Sequence, residues 1–434
     1  MQVSAPQRAS RFQVFTTLKY PGFRRFWWGL VASVLGFQIM TVAQGWLVYD
    51  LTDSKLYLGY VGLAAGFPAI VLSLFGGVVA DKVNQRHLLI ITQITSSLLM
   101  LVLATLTLLD LVQIWHILVI SFLTGSVQAF DTPTRQALFP HLIDRKDMMN
   151  AVALTSIVWQ GTRVVGPAMG GIIIGTRLGV APGFYAAFLG FLLMGLVVFT
   201  LRLPPIKRTR GTSVAKDMAE AVSFIRTNSV LGFLMGMVFF NSIFGMSYVF
   251  LFPVFARDIF HAGGSGMGFL HAASGAGAIL GTLGAAFLGN YQHRGWLLLG
   301  GAVLFGVFLI LFALTSALLV FFPVALFLVF LAGGSASIYM VIVMTTLQTM
   351  VPDELRGRVM GIYGMTWSLM PLGAMLAGVI AEYMSASFAV ALGGVAVILF
   401  TVVMAVGNRQ VRHLGAYSQV SPEGEQVVMA PPAP

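Results

Sequence analysis

The stretch GGVVADKVNQRHLLI, residues 76–90, closes one long apolar run and opens the next within a few positions. Asp81, Lys82, Asn84 and Arg86 crowd the connection. Each flanking run has about the 20 apolar residues that a bilayer crossing needs. A short charged turn between two such runs reads as one face of a membrane, reached by one helix and left by another. The rest of the chain repeats this pattern.

Composition agrees. The chain has 434 residues, 58% of them hydrophobic and 9% charged, where a soluble protein carries roughly 25% charged residues. A mean hydropathy of +0.89 leaves too few polar groups to cover a water-facing surface. Alternating β-barrel segments are absent, so helices are the remaining way to satisfy the backbone in lipid. The fold class expected is therefore an all-α integral membrane protein. With no cysteine, disulfides and thiolate chemistry are excluded. The seven histidines show no metal-ligand spacing, so neither metal nor other cofactor is expected. The net charge of +10 is read as cytoplasmic loops facing anionic lipid, not as a nucleic-acid footprint. No cleavable signal peptide is evident, because the first twenty or so residues are polar.

Twelve spans are expected, near 26–49, 57–80, 87–109, 113–133, 149–174, 182–202, 230–255, 266–289, 295–316, 319–348, 360–381 and 387–407. The polar interruption at 202–229 divides them six and six. The expected organisation is a segment 1–25, a six-helix bundle 26–202, a linker 203–229, a second bundle 230–408 and a polar, Pro-rich, disordered tail 409–434. Of the 25 basic residues, 21 fall at the termini, in the linker or in turns on one side, leaving Lys55, Arg177 and Arg257 opposite and Arg163 inside a span. By the positive-inside rule both termini, and the turn at 81–86, are cytoplasmic.

The two halves echo each other. At an offset of 209, Gly59, Gly66, Ala69, Ile70 and Asp81 fall on Gly268, Gly275, Ala278, Ile279 and Asn290. At 212, Thr134, Gln136 and Pro140 fall on Thr346, Gln348 and Pro352. Two six-helix halves in the same orientation form a parallel repeat, the arrangement that suits alternating access.

These residues resemble the major facilitator superfamily. Its signature between spans 2 and 3, Gly-x-x-x-Asp-Arg/Lys-x-Gly-Arg-Arg/Lys, reads here Gly77, Asp81, Lys82, Asn84, Gln85 and Arg86, with Asn in place of Gly at 84 and Gln in place of a basic residue at 85. VPDELRGRVMG, 351–361, looks like the equivalent connection before span 11. The stretches 23–59, 131–144 and TRVVGPAMGG, 162–171, are similar to the enterobactin-exporter and macrolide-efflux branch, whose members move siderophores, macrolides or other drugs outward. The resemblance implies two pseudo-symmetric six-helix bundles and a monomeric, proton-driven exporter or antiporter in the cell inner membrane, surrounded by lipid. It also implies that Asp81 latches onto the start of span 11 near Arg356 and Arg358. Lys82 and Arg86 read equally as latch members or as charges that only set topology. Asp131 and Arg135, spaced i, i+4, either join that charge network or form a local surface pair worth at most about 1 kcal/mol.

Arg163 lies eight residues before Gly171, about 12 Å along a helix. A charge so deep costs roughly 2.5–3.5 kcal/mol and marks a functional site by default. The alternatives are snorkelling or a structural pair with Asp50. The neighbouring Gly166, Pro167, Gly170 and Gly171 allow close helix approach and loosen the backbone ladder. In this fold spans 1, 4, 7 and 10 line the path, so Gln38, Gln44, Gln128, Asn241, Tyr248 and Tyr339, with Trp159 and Gln160 of span 5, are cavity candidates. Each could instead bond a neighbouring helix. For proton coupling the only carriers in view are Asp131 and Asp50. No Gly-x-x-x-x-Gly-Lys-Ser/Thr loop supports ATP drive, and no His-Glu-x-x-His or Gly-x-Ser-x-Gly supports an enzyme. An importer or lipid-moving facilitator on the same fold is the alternative, and a membrane sensor or enzyme the remotest reading.

Overall fold

The computed structural model describes residues 13–201, 214–287 and 294–407. No strand occurs among them. The first six long helices are α1 (Pro21–Thr52), α2 (Lys55–Lys82), α3 (Gln85–Leu108), α4 (Ile114–Leu138), α5 (Met148–Ile174) and α6 (Ala181–Thr200). Part of the expected linker is itself helical, α7 (Val214–Thr227). Then come α8 (Ser229–Ile259), α9 (Gly263–Phe287), α10 (Arg294–Leu318), α11 (Phe322–Met350), α12 (Asp353–Trp367), α13 (Met370–Tyr383) and α14 (Ala386–Gly407). Among the described residues eleven helical stretches are long and apolar enough to cross a membrane. The remaining expected span, 149–174, forms α5, whose apolar run is diluted by Asn150, Gln160 and Arg163.

Two spans are not regular α-helices throughout. α8 is α-helical over Ser229–Phe240, then passes through a π-turn at Asn241–Gly245, a 3-10 stretch at Met246–Leu251 and a second π-turn at Phe255–Ile259. Gly245 permits the first turn, because a Cβ there would overlap the Asn241 side chain. Pro253 adds a residue with no N–H to give the ladder. The eleventh span breaks between α12 and α13, where Pro371 sits in the first turn of the second piece.

The chain separates into two units, Met1–Leu47 with Phe67–Arg210, and Val48–Gly66 with Gly211–Pro434. In the first, Phe26, Leu30 and Val34 of α1 pack with Leu89 of α3, Val158 of α5 and Met194 and Val198 of α6. Gly36 brings α1 within about one atom of α6, since a Cβ there would stand 3.0 Å from the Ala187 backbone. Gly166 does the same for α5 against Gln38, and Gly170 against Val42. The Trp27 indole N–H donates to the Leu154 carbonyl at 3.1 Å.

In the second unit α11 is the hub, packed on α9 and α10, with α10 also on α14. Gly277, Gly281 and Gly333 leave no room for a Cβ at the α9–α11 seam. The expected division put residues 48–66 with the first six helices. They pack instead with the second unit, for visible reasons. Gly59 meets the backbone of Met375, Gly66 meets Pro371, and the carboxylate of Glu382 accepts the backbone N–H of Lys55 at 2.7 Å.

Candidate functional site

The first unit holds a cavity of about 620 Å³ lined by α1, α4 with Phe139 just beyond it, α5 and Phe191 of α6. Its polar centre is the Asp131–Arg135 pair. Both sit on one face of α4 because helical residues four apart are neighbours. The Arg135 Nε donates to Asp131 Oδ2 at 2.5 Å and its Nη2 to Ser33 Oγ at 2.7 Å. Asp131 Oδ1 accepts from Thr92 Oγ1 at 2.8 Å and from Gln93 Nε2 at 2.6 Å. Asp131 is 2% exposed and Arg135 9%. The pair is therefore no surface ion pair. It joins α1, α3 and α4, and removing one partner of such a buried pair costs roughly 3–5 kcal/mol. Ser33, Thr92 and Gln93 escaped the sequence reading. The signal for two of them was present, since Thr92, Gln93, Ser96 and Ser97 are a polar cluster inside an apolar span, and all four are buried.

Val152, Thr155, Ser156 and Trp159 line the cavity from α5. They share one helical stripe, and Arg163 is the next position on it, four residues past Trp159. Arg163 is exposed, and no ion pair holds it among the described residues. The pairing with Asp50 kept open from sequence does not form. Asp50 faces Arg257 at 3.9 Å, and Arg257 Nη2 reaches Asp53 at 2.8 Å. Arg257 also donates to the Tyr49 carbonyl at 3.1 Å and lies over the Tyr49 ring, while the Tyr49 hydroxyl donates to Asp258. This cluster fastens the α1–α2 turn to the end of α8.

The turn that opened the sequence reading is only partly described. The side chains of Gly77, Asp81 and Lys82, and all of Asn290, lie outside the described residues, so the latch expected of Asp81 is a reading of the sequence alone. Arg86 has a definite place: its guanidinium donates to the carbonyls of Val198, at 3.3 Å, and Phe199 and lies over the Phe199 ring. It thus caps the C-terminal end of α6, where a cation is favoured. Asn84, which departs from the family pattern, is the N-cap of α3, its Oδ1 accepting from the N–H groups of Arg86 and His87. Arg358 pairs with Glu220 of α7 at 2.5 Å, and Arg356 reaches the Val351 carbonyl at 3.4 Å.

Of the candidates drawn from sequence, Gln128, Trp159, Asp131 and Arg135 line the cavity, and Gln136 and Thr132 join them. The other candidates serve helix contacts. Gln38 packs on Gly166, and Gln44 donates to Ser121 Oγ at 2.6 Å. Asn241 donates to the Tyr339 hydroxyl, and Tyr248 bonds Ser274 at 2.9 Å, all inside the second unit. Gln160 is half-buried beside the stripe. Gly166, Pro167, Gly170 and Gly171 are all buried along α5.

A third polar cluster lies outside the spans. The Tyr20 hydroxyl donates to Asp144 at 2.7 Å and to Asp147 at 2.8 Å, and Lys19 pairs with Asp147 at 2.9 Å. The bond to Asp144 pushes the Tyr20 phenol up, and the bonds from Lys19 and then Tyr20 hold Asp147 below the usual carboxylate range.

Comparison with known proteins identifies the fold and the family. The chain is 25% identical over 386 residues to the staphyloferrin A transporter of Staphylococcus aureus, covering 87% of this chain and 94% of that one. It is 27% identical over 356 residues to the multidrug efflux pump Tap of Mycolicibacterium fortuitum, covering 79% and 85%. Among solved structures, the nucleoside transporter NupG superposes with a TM-score of 0.69 at 13% identity, over 89% of this chain and 98% of that one. A bacterial homologue of the lysosomal transporter Spinster, inward-facing and occupied, does so at 0.70 and 15%, over 96% and 99%. The family model for transmembrane secretion effectors matches residues 13–429. A helical, multi-pass chain that meets this model over nearly its whole length belongs to the transmembrane secretion effectors, a family of the major facilitator superfamily of membrane transporters.

Proposed function

We propose that this transporter exports siderophore-like or drug-like small molecules by alternating access, as a monomer driven by the proton gradient, with both termini in the cytoplasm. The observation that carries the reading is the cavity on the α1–α4–α5 face, with a buried ion pair at its centre and aromatic walls. Its lining comes from the first half of α1, the last turns of α4 and the first turns of α5, the ends that the excess of basic residues assigns to the cytoplasm. A cargo loaded from the cytoplasm would meet this cavity first. The printed names of the relatives, a siderophore transporter and a multidrug efflux pump, support the same cargo classes. Asp131 is the carrier favoured for coupling, since it is a carboxylate on the cavity wall and its charge is what holds Arg135.

The test is energised accumulation in everted vesicles, with and without an uncoupler, for compounds chosen from a drug and siderophore susceptibility panel in an efflux-deficient host. Accumulation abolished by the uncoupler is expected. Accumulation only in right-side-out vesicles would make the protein an importer. Arg163→Ala is expected to lower export severalfold without changing the amount inserted.

A further inference from the structure

We infer that the α1–α4–α5 cavity is built for an organic anion, a carboxylate or phenolate oxygen carried on an apolar body. The inference rests on the transport reading for its biological sense and on Arg135 for its chemistry.

The two partners of the central ion pair are not equally satisfied. Both oxygens of Asp131 are taken by the protein's own donors. A guanidinium has five N–H donors in a planar fork. Nε and Nη2 of Arg135 are used, but Nη1 is buried with no partner. Buried polar groups are otherwise almost always bonded, and this one has almost no accessible surface, so Arg135, which lines the cavity, turns to offer its spare N–H to an acceptor there. A cation finds less: the one carboxylate among the described lining residues is already filled, and the unpartnered Oε1 of Gln93 belongs to a residue that does not line the cavity.

The surroundings agree. Among the described residues, Asp131 and Arg135 are the only charged ones lining the cavity, and they cancel. Arg163, next on the Ser156–Trp159 stripe, adds a positive charge that no carboxylate among the described residues answers. Phe26, Phe37, Phe139 and the half-exposed Trp159 supply flat apolar walls. A planar fork favours an acceptor that is itself planar and charged, because such hydrogen bonds are about twice as strong as neutral ones.

Equilibrium dialysis of the purified full-length protein at pH 7.4 against 1-naphthoate, 1-naphthamide and 1-naphthylmethylammonium separates the charges at constant ring size. Naphthoate is expected to bind at least about tenfold tighter than the other two, a difference of about 1.4 kcal/mol. Arg135→Lys keeps a cation for Asp131 but loses the spare fork N–H, and should shrink that preference to about twofold. Arg163→Gln should weaken naphthoate alone. Ser156→Trp fills the cavity without touching the ion pair and should abolish naphthoate binding even if the Arg135 variant fails to fold. Equal binding of the three probes, preference for the ammonium, or naphthoate binding that survives Ser156→Trp would overturn the assignment. Energised export of cationic drugs without naphthoate binding would overturn it while leaving the transport reading intact. Naphthoate binding without accumulation of any cargo would do the opposite.

Discussion

The two ends of α1 carry polar clusters of opposite character. Near its start, Ser33 holds Arg135 in a cluster closed to solvent and shared among α1, α3 and α4. At its far end, Tyr49, Asp50 and the adjoining Asp53 meet Arg257 and Asp258, with the Arg257 side chain one-third exposed and that of Asp53 77% exposed. The first is costly to open, and would part only when the charge on Asp131 is cancelled. The second is a set of wet, individually weak bonds that holds a turn in place and can release it. A transporter needs both kinds, one to keep a binding surface in shape and one to let go.

The largest expected effect follows from the first cluster. Arg135→Ala should destabilise the detergent-solubilised protein by about 3–5 kcal/mol, by thermal unfolding, because it strands a buried carboxylate. A loss below about 1 kcal/mol would put the two clusters in the same class. Arg257→Ala should cost no more than about 1 kcal/mol of stability, yet free the α1–α2 turn. The chain lacks cysteine, so Ser54→Cys reports that release directly. An impermeant maleimide should label it several times faster in the Arg257→Ala background, and an unchanged rate would show that the turn is held by the Gly59, Gly66 and Glu382 contacts instead.

Backbone strain refines the picture. Asp53 and Val320 both occupy left-handed conformations, at φ 50° and 48°, in turns between successive spans. For a β-branched residue that is a genuine outlier, so Val320→Gly should stabilise by about 1 kcal/mol. Asp53→Gly relieves similar strain but discards the nearest carboxylate of Arg257, and the two should nearly cancel. The smallest effect concerns pH. Asp147 is held below its ordinary value, so its contribution is complete above about pH 4 and is lost only as pH falls further. Docking of the segment before α1, followed by limited proteolysis, should therefore be flat from pH 5 to 8. A transition inside that range would point to another group.

Much of this was legible in the chain itself, and what was not has a common cause. Apolar length and the bias of basic residues mark the spans without any tertiary information. The spacing of Asp131 and Arg135 gave their shared face, but not their burial, which depends on Thr92, Gln93 and Ser33, 38 to 102 positions away. Arg257 was visible as a charge on the sparse side, whereas its partners at 49, 50 and 53 come from the opposite half of the chain. Asn84 read as a defect in a family pattern, and a local rule, that Asn starts helices, explains it better. Local rules located elements and caps, and the joins between distant helices were beyond them.

One feature of α8 bears on how force travels. A regular helix acts as a strut, so a tug at one tip is felt at the other. Between Asn241 and Ile259 the winding changes from wide to tight and back to wide. Such a segment behaves as a spring set in series with the strut Ser229–Phe240. Letting go of Arg257 can thus swing the last turns of the span while the first twelve residues keep their seat.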